Sequence, residues 1–582
     1  MAQSFAAQCY TVRTITSLRE MLNTSAKLYK NNTAFLIKKE KGGEYFRIRY
    51  EQLKHDVEAL GTKLIDMGLS GKKIAIIGEN CYQWVVAYLA VVNGVGVAVP
   101  LDKELNKEEI CNIIDTAECN AVFHTGTFAK VFRDHPIGQR INMRLYGDRT
   151  DLSETLSEEP TKEGALTWEA LVGAGEKMLQ AGDVRFLNAP LDPEEMSTLL
   201  FSSGTTGMAK GIMLSHRNIV SDIMDTRRIV KVNPEDRSLS ILPIHHTFEL
   251  TLGIMTMLYS GASIAFYEGL KYVAKNLVEA QATLLLGVPL IFESMYQKIW
   301  KQAAKTGKAV ALQKAIKFNR FLRAMGINGE KKLFHSIYQS FGGKLRMLIT
   351  GAAAIDPNVC RGYEDIGLKV LQGYGLTECA PLVAGTPDFS DTYKKAGSVG
   401  PALPSGELKI VDADENGIGE IAYRGPNVML GYYNMPEETA TVLKEGWFYT
   451  GDLGFLDDTG WLYITGRKKN VIVTKTGKNI YPEEIEIYVN RSPYIEESMV
   501  YGIDDDEEEG TVVGVQVRPA YEAIYEKFGS GYNDDQIYEL MKKEIRDING
   551  GLAVYKRIRK VSVRREEFVK TTTKKIKRHQ NI

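Results

Sequence analysis

The sequence predicts a multidomain α/β protein, with a large N-terminal part built on α/β sheet subdomains, a small barrel-like β region, and a smaller α+β domain at the C-terminal end. Three observations carry that prediction. At 582 residues the chain exceeds one compact unit. From Ile74 to about Gly287, short β-rich runs alternate with amphipathic helical stretches, the pattern of a largely parallel sheet. After about Lys394 the texture changes to short strands separated by Gly, Asp and Asn turns.

Taken in chain order, the first clear unit is KKIAII followed by the uncharged stretch from Cys81 to Leu101. Asn93-Gly94, Gly96 and Pro100 would break a membrane-spanning helix there. The segment therefore reads as strand, helix (CYQWVVAYLAVVN), Gly turn and strand (VGVAV), a buried βαβ unit. The runs NAVFHT, STLLFSS, SLSILPI, ASIAFY and ATLLLGV continue the alternation. KLRMLIT follows, then a Gly-Ala loop and a helix leading to LKVLQGYG. GELKIVD, GEIAYRG, WFYTGD and WLYITG make up the β region, 394–466. From Lys468 onward VIVTKTG, PEEIEIYVNRS, ESMVYGI, TVVGVQVRP and a helix around Asp535–Asn549 form a domain of ordinary size. No internal repeat is visible.

Composition excludes several classes. The apolar fraction is 44% and the charged fraction 25%, which argues against long disorder. A net charge of −1 rules out a polyanion binder acting through total charge. The six cysteines form no CxxC pair, a usage that fits free thiols in a reducing, cytoplasmic setting, and Cys379 reads as a packing residue. MAQSFAAQCYTVRT lacks a basic stretch followed by an apolar core, so no signal peptide is expected. The acidic run Asp504–Glu509 reads as a solvated loop between strands. Between Lys298 and Lys332 lie ten Lys/Arg and one acidic residue, interleaved with Trp300, Phe318, Phe321, Leu322 and Met325. The plain reading, slightly favoured, is a helical hairpin with an exposed basic face. The sharper one is a surface meeting anionic lipid headgroups, at the inner face of a membrane, or a polyanionic cofactor. The tail 556–578 holds eleven basic residues against two acidic, but no recognition module accompanies it, so neither nucleic acid nor a protein partner is expected.

The segment with the most chemistry is Ser202-Ser203-Gly204-Thr205-Thr206-Gly207-Met208-Ala209-Lys210-Gly211, read as following a strand and preceding a helix-like run. A Gly-rich turn exposes successive backbone N–H groups, and hydroxyls add donors, so it can hold phosphate oxygens with Lys210 as a point charge. GxxxxGK[ST] cannot be laid on it, so it is not a Walker loop. A flexible linker is the bland alternative, and the position at a strand end argues against it. Gly373-Tyr374-Gly375-Leu376-Thr377-Glu378 supplies a hard carboxylate suited to Mg²⁺, or else simply opens a helix at Thr377. Gly351-Ala352-Ala353-Ala354, Tyr449-Thr450-Gly451-Asp452, Gly466-Arg467-Lys468-Lys469 and Lys570-Thr571-Thr572-Thr573-Lys574-Lys575-Ile576-Lys577-Arg578 follow in that order. Alone, the last is a basic tail and TGD a common turn. His246, beside His245, is by itself a structural histidine.

Together, these segments resemble the adenylate-forming superfamily of acyl-CoA synthetases, firefly luciferase and peptide-synthetase adenylation domains, with most similarity to long-chain fatty acid–CoA ligases. The resemblance implies ATP, Mg²⁺ and coenzyme A as cofactors. Under it Ser202–Lys210 is the phosphate loop, Gly351, Ala352 and Ala353 let adenine approach the backbone, and Tyr374 lies against adenine. Thr377 would bond the α-phosphate, Glu378 hold Mg²⁺, Asp452 accept from the ribose hydroxyls, and Arg467 contact ribose or phosphate. Lys575 would be the catalytic lysine, Lys469 the hinge, and His246 a residue of the acyl pocket. Two positions depart from the pattern: Ala209 stands for a family proline and Lys574 for a family glycine. The implied organisation is an adenylation domain 1–466, a hinge 467–469 and a mobile domain 470–582. The implied activity is conversion of a fatty acid to acyl-AMP, then thioesterification to coenzyme A. Rival readings are an acyl-AMP or acyl-carrier-protein ligase and a catalytically silent lipid-binding scaffold; the presence of Lys575 and Glu378 argues against the scaffold.

Overall fold

A computed structural model describes residues 7–133, 135–143, 166–202, 209–327, 329–474, 478–505, 510–571 and 575–581. Two eight-stranded sheets make up the N-terminal part. One runs Leu382–Gly385, Lys369–Gly375, Met347–Thr350, Leu284–Gly287, Arg237–Ser240, Ser263–Phe266, Thr33–Lys38, Tyr45–Arg49, parallel except at its two edge pairs. The other runs Gly431–Tyr432, Lys210–Ser215, Met196–Ser202, Gly96–Pro100, Lys72–Ile77, Ala121–Thr125, Gln139–Met143, Leu166–Thr167, antiparallel only at its first three strands. The central strands are continuous apolar runs because both faces are covered: every residue of Ser263–Phe266 and Leu284–Gly287 is buried. The pair Thr33–Lys38 and Tyr45–Arg49 was not anticipated; it joins the first sheet from well before Ile74.

The βαβ reading of the uncharged stretch holds. Helix Tyr82–Ala90 is buried on every side, and after a kinked turn at Val91–Val95 the chain enters strand Gly96–Pro100. Nearby, helices Tyr50–Asp66 and Trp168–Gln180 approach so closely that a Cβ on Gly175 would stand 1.8 Å from the Ala59 carbonyl oxygen, so only glycine fits. No helix among the described residues is long and apolar enough to cross a membrane.

The β region is a five-stranded antiparallel sheet of Glu407–Val411, Gly419–Arg424, Leu443–Lys444, Trp447–Leu456 and Leu462–Arg467. Its pairing path does not close among the described residues, so the barrel-like expectation becomes an open sheet. Beyond it stands a separate α+β unit: Ile495–Asp505, Gly510–Pro519 and Ile558–Val563 form a sheet packed by helices Pro482–Val489 and Asp534–Asn549. Its apolar core, including Ile485, Val489, Val500, Val515 and Met541, is distinct from the main one. VIVTKTG yields only a two-residue strand, Ile472–Val473. The acidic run begins inside a strand, since Asp504 and Asp505 pair with Thr511 and Gly510; Asp506–Glu509 lie outside the described residues.

Candidate active site

The site begins at the carboxyl ends of two adjacent parallel strands, where open α/β sheets generally bind ligands. Met347–Thr350 and Lys369–Gly375 pair in register, Thr350 opposite Gln372, so the loops following them leave the same edge. A Cβ on Gly351 would stand 3.1 Å from the Gly373 carbonyl oxygen and 3.4 Å from the Phe248 ring. Ala352 adopts a left-handed conformation (φ 70°), and Ala353 is exposed beside it. At Gly375 a Cβ would meet the Pro381 carbonyl oxygen at 1.8 Å, while Leu376 N–H donates to that same oxygen at 2.8 Å. This tight return presents Thr377 and Glu378 in a single 3₁₀ turn, Thr377–Cys379. The reading of Thr377 as the cap of a longer helix is thereby corrected: the turn is capped by Leu376 and ends at Ala380, whose φ is 64°.

Asp452 ties this edge to the β region. Strands Trp447–Leu456 and Leu462–Arg467 set Asp452 opposite Arg467, and Arg467 Nε lies 2.9 Å from Asp452 Oδ1. The Tyr374 hydroxyl donates to Asp452 Oδ2 at 2.8 Å. Burial, then the Asp452 charge, pushes the Tyr374 phenol well up. Both oxygens of Asp452 are therefore engaged, and ribose hydroxyls would have to share them. The Glu378 carboxylate accepts from the Tyr432 hydroxyl at 3.0 Å. Burial raises its pKa, with Arg467 opposing and Asp452 adding to the rise.

The C-terminal tail reaches into the same place. Lys575 is held against Thr571: Thr571 N–H donates to the Lys575 carbonyl at 2.8 Å and Lys575 N–H to Thr571 Oγ1 at 3.1 Å. Lys575 is exposed to solvent, yet neighbouring groups still desolvate its ammonium. That desolvation, then the Arg467 cation, lowers its ammonium to about 8 against the pull of Asp452. The Lys575 charge in turn adds to the burial that holds His246 down at about 4, so the imidazole is neutral at pH 7. Lys469, exposed in the 3₁₀ turn Lys468–Asn470, is lowered by partial desolvation and by Arg467, with Asp452 opposing. Thus Tyr374, Glu378, Asp452, Arg467, Lys469, Lys575 and His246 share one electrostatic neighbourhood.

The phosphate-loop segment is met at its two ends. Ser202 closes strand Met196–Ser202 and pairs with Lys210, which opens the antiparallel strand Lys210–Ser215. The expected strand-to-helix connection is therefore a strand-to-strand one, and helix His216–Ile229 follows only afterwards. Ser203, Gly204, Thr205, Thr206 and Gly207 lie outside the described residues, as does Lys574. Lys210 Nζ reaches Glu438 at 2.5 Å and stands 5.1 Å from the Tyr432 ring centroid, so Tyr432 bridges Lys210 to Glu378. Sequence reasoning did not single out Tyr432 or Thr450, whose hydroxyl accepts from Asp452 N–H at 3.1 Å. Neither has a signal of its own beyond its neighbourhood in GYYN and YTGD.

One ion pair ties the C-terminal unit to the large N-terminal part, and another ties the turn that precedes it to the β region. Arg491 pairs with Asp356 at 2.9 Å, and Lys468 with Glu420 at 2.7 Å. As to metal, a half-buried carboxylate whose charge burial opposes would gain from a cation, and Mg²⁺ suits one carboxylate completed by phosphates. Asp102, His245 and His246 are the one cluster of three metal-capable groups among the described residues; its imidazoles are the wrong donors for Mg²⁺.

The model of the AMP-binding enzyme family matches residues 22–433. The chain belongs to that family. As an AMP-binding enzyme of the adenylate-forming superfamily it falls, at a coarse level, among the AMP-forming acid–thiol ligases. It is similar to human long-chain-fatty-acid–CoA ligase 1, with 32% identity over 502 residues that cover 81% of this chain and 70% of the relative. Among solved structures, the anthranilate CoA ligase AuaEII in complex with anthranoyl-AMP matches with a TM-score of 0.74 at 18% identity, covering 99% of this chain and 97% of the other. The o-succinylbenzoate CoA synthetase of Bacillus subtilis, in complex with ATP and magnesium ion, matches with a TM-score of 0.70 at 20% identity, covering 96% and 98%. These two likenesses concern the fold. The family match spans Ser202–Glu378; Asp452, Arg467, Lys469 and Lys575 lie beyond it.

Proposed function

We propose that this AMP-binding enzyme activates a long-chain fatty acid with ATP and transfers the acyl group to coenzyme A. The observation carrying this reading is the meeting of Lys575, from the tail, with the Tyr374–Asp452–Arg467 cluster and Glu378. The named long-chain ligases among its relatives support the substrate class. The buried thiols of Cys81, Cys360 and Cys379 support a reducing, cytoplasmic setting.

In the first step a carboxylate oxygen of the acid attacks the α-phosphorus of ATP, the bond to pyrophosphate breaks, and a mixed anhydride forms. The barrier is repulsion between two anions. Lys575, as a cation, offsets it; Thr377 donates to the α-phosphate; Lys210 and the amides of 203–207 hold the departing phosphates. When bound at Glu378, Mg²⁺ supplies further charge neutralisation. Tyr374 and the 351–353 loop seat the adenine, while Asp452 and Arg467 take the ribose. His246, kept neutral, adds no charge to the acyl side. In the second step the thiol sulfur attacks the acyl carbon and AMP leaves. We assign the reach of the thiol to rotation of domain 470–582 about the hinge 467–469, which withdraws Lys575.

The test is a panel of acids in pyrophosphate–ATP exchange, with and without coenzyme A. Long-chain acids should drive exchange and yield the coenzyme A thioester. Exchange with only short or aromatic acids overturns the substrate, and failure of free coenzyme A to accept the acyl group overturns the acceptor.

A further inference from the structure

The charge run at 298–332 is absorbed by none of this chemistry. It folds as helices Pro289–Lys305 and Ala309–Ala324, the hairpin expected from sequence. The second helix has one anchored side. Ile316 and Asn319 are buried, Asn319 donates to the Asp365 carbonyl at 2.9 Å, Arg320 forks onto the Asp365 carboxylate at 2.6 and 2.7 Å, and Arg323 donates to the Glu364 carbonyl at 2.8 Å. The opposite side has no need to be apolar, yet it is. At 3.6 residues per turn, Val310, Lys314, Lys317, Phe318, Phe321 and Met325 fall within an arc of about 100° facing away from Ile316 and Asn319. Val310 is 63% exposed, Phe318 53%, Phe321 60% and Met325 59%.

The same hairpin carries a set of exposed cations. Lys298, Lys301 and Lys305 are exposed along one side of the first helix, at i, i+3 and i+7. Lys308, Lys314 and Lys317 are exposed on the connection and the second helix. Among the described residues none of these six pairs with an acidic side chain, whereas the two arginines on the anchored side both find acceptors.

From this geometry we propose that the hairpin is a docking surface for a bilayer containing anionic lipid. Phe318, Phe321 and Met325 enter the boundary between headgroups and chains, while the lysines stay level with the phosphates. Neither helix spans the bilayer; both lie along it. A second copy of this chain fits poorly, because two-fold pairing of the face would oppose lysine to lysine with no carboxylates to balance them. The inference goes beyond the proposed reaction, and its evidence and its test are independent of it.

The experiment is flotation of the full chain with vesicles of phosphatidylcholine alone, or mixed with phosphatidylglycerol, in the absence of ATP and fatty acid. The chain should float with the mixed vesicles only and be released by salt. Lys314→Gln with Lys317→Gln should weaken partitioning about 30-fold, at roughly fivefold per lysine. Phe318→Ser with Phe321→Ser should weaken it by about a hundredfold or more. Both variants change only exposed side chains, and an unaltered melting temperature and unaltered far-ultraviolet circular dichroism certify the fold. Equal binding to neutral vesicles, full binding by the phenylalanine variant, or a dimer that this variant dissociates would each overturn the proposal.

Discussion

Lys575 is asked to be a cation in surroundings that disfavour one. Desolvation and Arg467 bring it down to about 8, so it is charged below that pH and neutral above it. A base whose folded pKa is depressed loses its proton as pH rises through that value. The acid-dependent kcat/KM of adenylate formation, which reports the free enzyme, should therefore fall by about tenfold per unit above roughly pH 8. Lys575→Arg should retain its charge and erase that limb, since guanidinium stays protonated throughout. A pH–rate profile of both proteins checks this. Glu378 and Tyr374 are shifted the opposite way, upward, by burial, the usual pattern where acids and a base share a cleft.

Lys575 reaches the cleft because its segment is pinned at both ends. Lys570 pairs with Glu497, and Arg578 donates to the Glu486 carboxylate at 2.7 and 2.8 Å and to the Val500 carbonyl at 2.6 Å. Burial pushes Glu486 up to about 7 even with Arg578 against it. Arg578→Ala strands that carboxylate and should cost about 3 kcal/mol of stability in the C-terminal unit, measured by denaturant unfolding. This is also where sequence reading reached its limit. LKVLQGYG and KLRMLIT announced their strands because buried parallel strands are continuous apolar runs. The connection after the phosphate loop was misread because KGIMLSHRN carries apolar residues compatible with either period, and only pairing with Met196–Ser202 decides it. The basic tail looked like free charge because its partners, Glu486, Glu497 and Glu484, lie some 70 to 90 positions away. The strand pair at Thr33–Lys38 and Tyr45–Arg49 was missed for a like reason, its parallel neighbour being Ser263–Phe266.

At the scale of the molecule, the C-terminal unit has its own apolar core, which suits the rotation proposed for it, and it meets the rest through polar contacts as well. Arg491–Asp356 is one of them, with Arg491 38% exposed. A half-exposed pair contributes up to about 1 kcal/mol, so Arg491→Ala should slow adenylation by no more than about fivefold and leave thiol transfer intact. Single-turnover rates of the two half-reactions separate these. Lys469→Pro, which fixes the torsion of the proposed hinge, should spare the first half-reaction and block the second. What the sequence offered was a set of candidate pieces, Tyr374–Glu378, Asp452 and Lys575, through their order and spacing. What it could not supply was their mutual contact: the Tyr374–Asp452 bond spans 78 positions, and the bridge through Tyr432 has no motif at all.

The central claim is that Lys575, from the tail, serves the nucleotide held by residues far earlier in the chain. Single-turnover formation of palmitoyl-AMP by Lys575→Ala, beside its transfer of acyl from pre-formed palmitoyl-AMP to coenzyme A, tests it most directly. Adenylate formation should drop by about 10²-fold or more while transfer stays near that of the unaltered enzyme. Undiminished adenylate formation, or an equal loss in both steps, would contradict it.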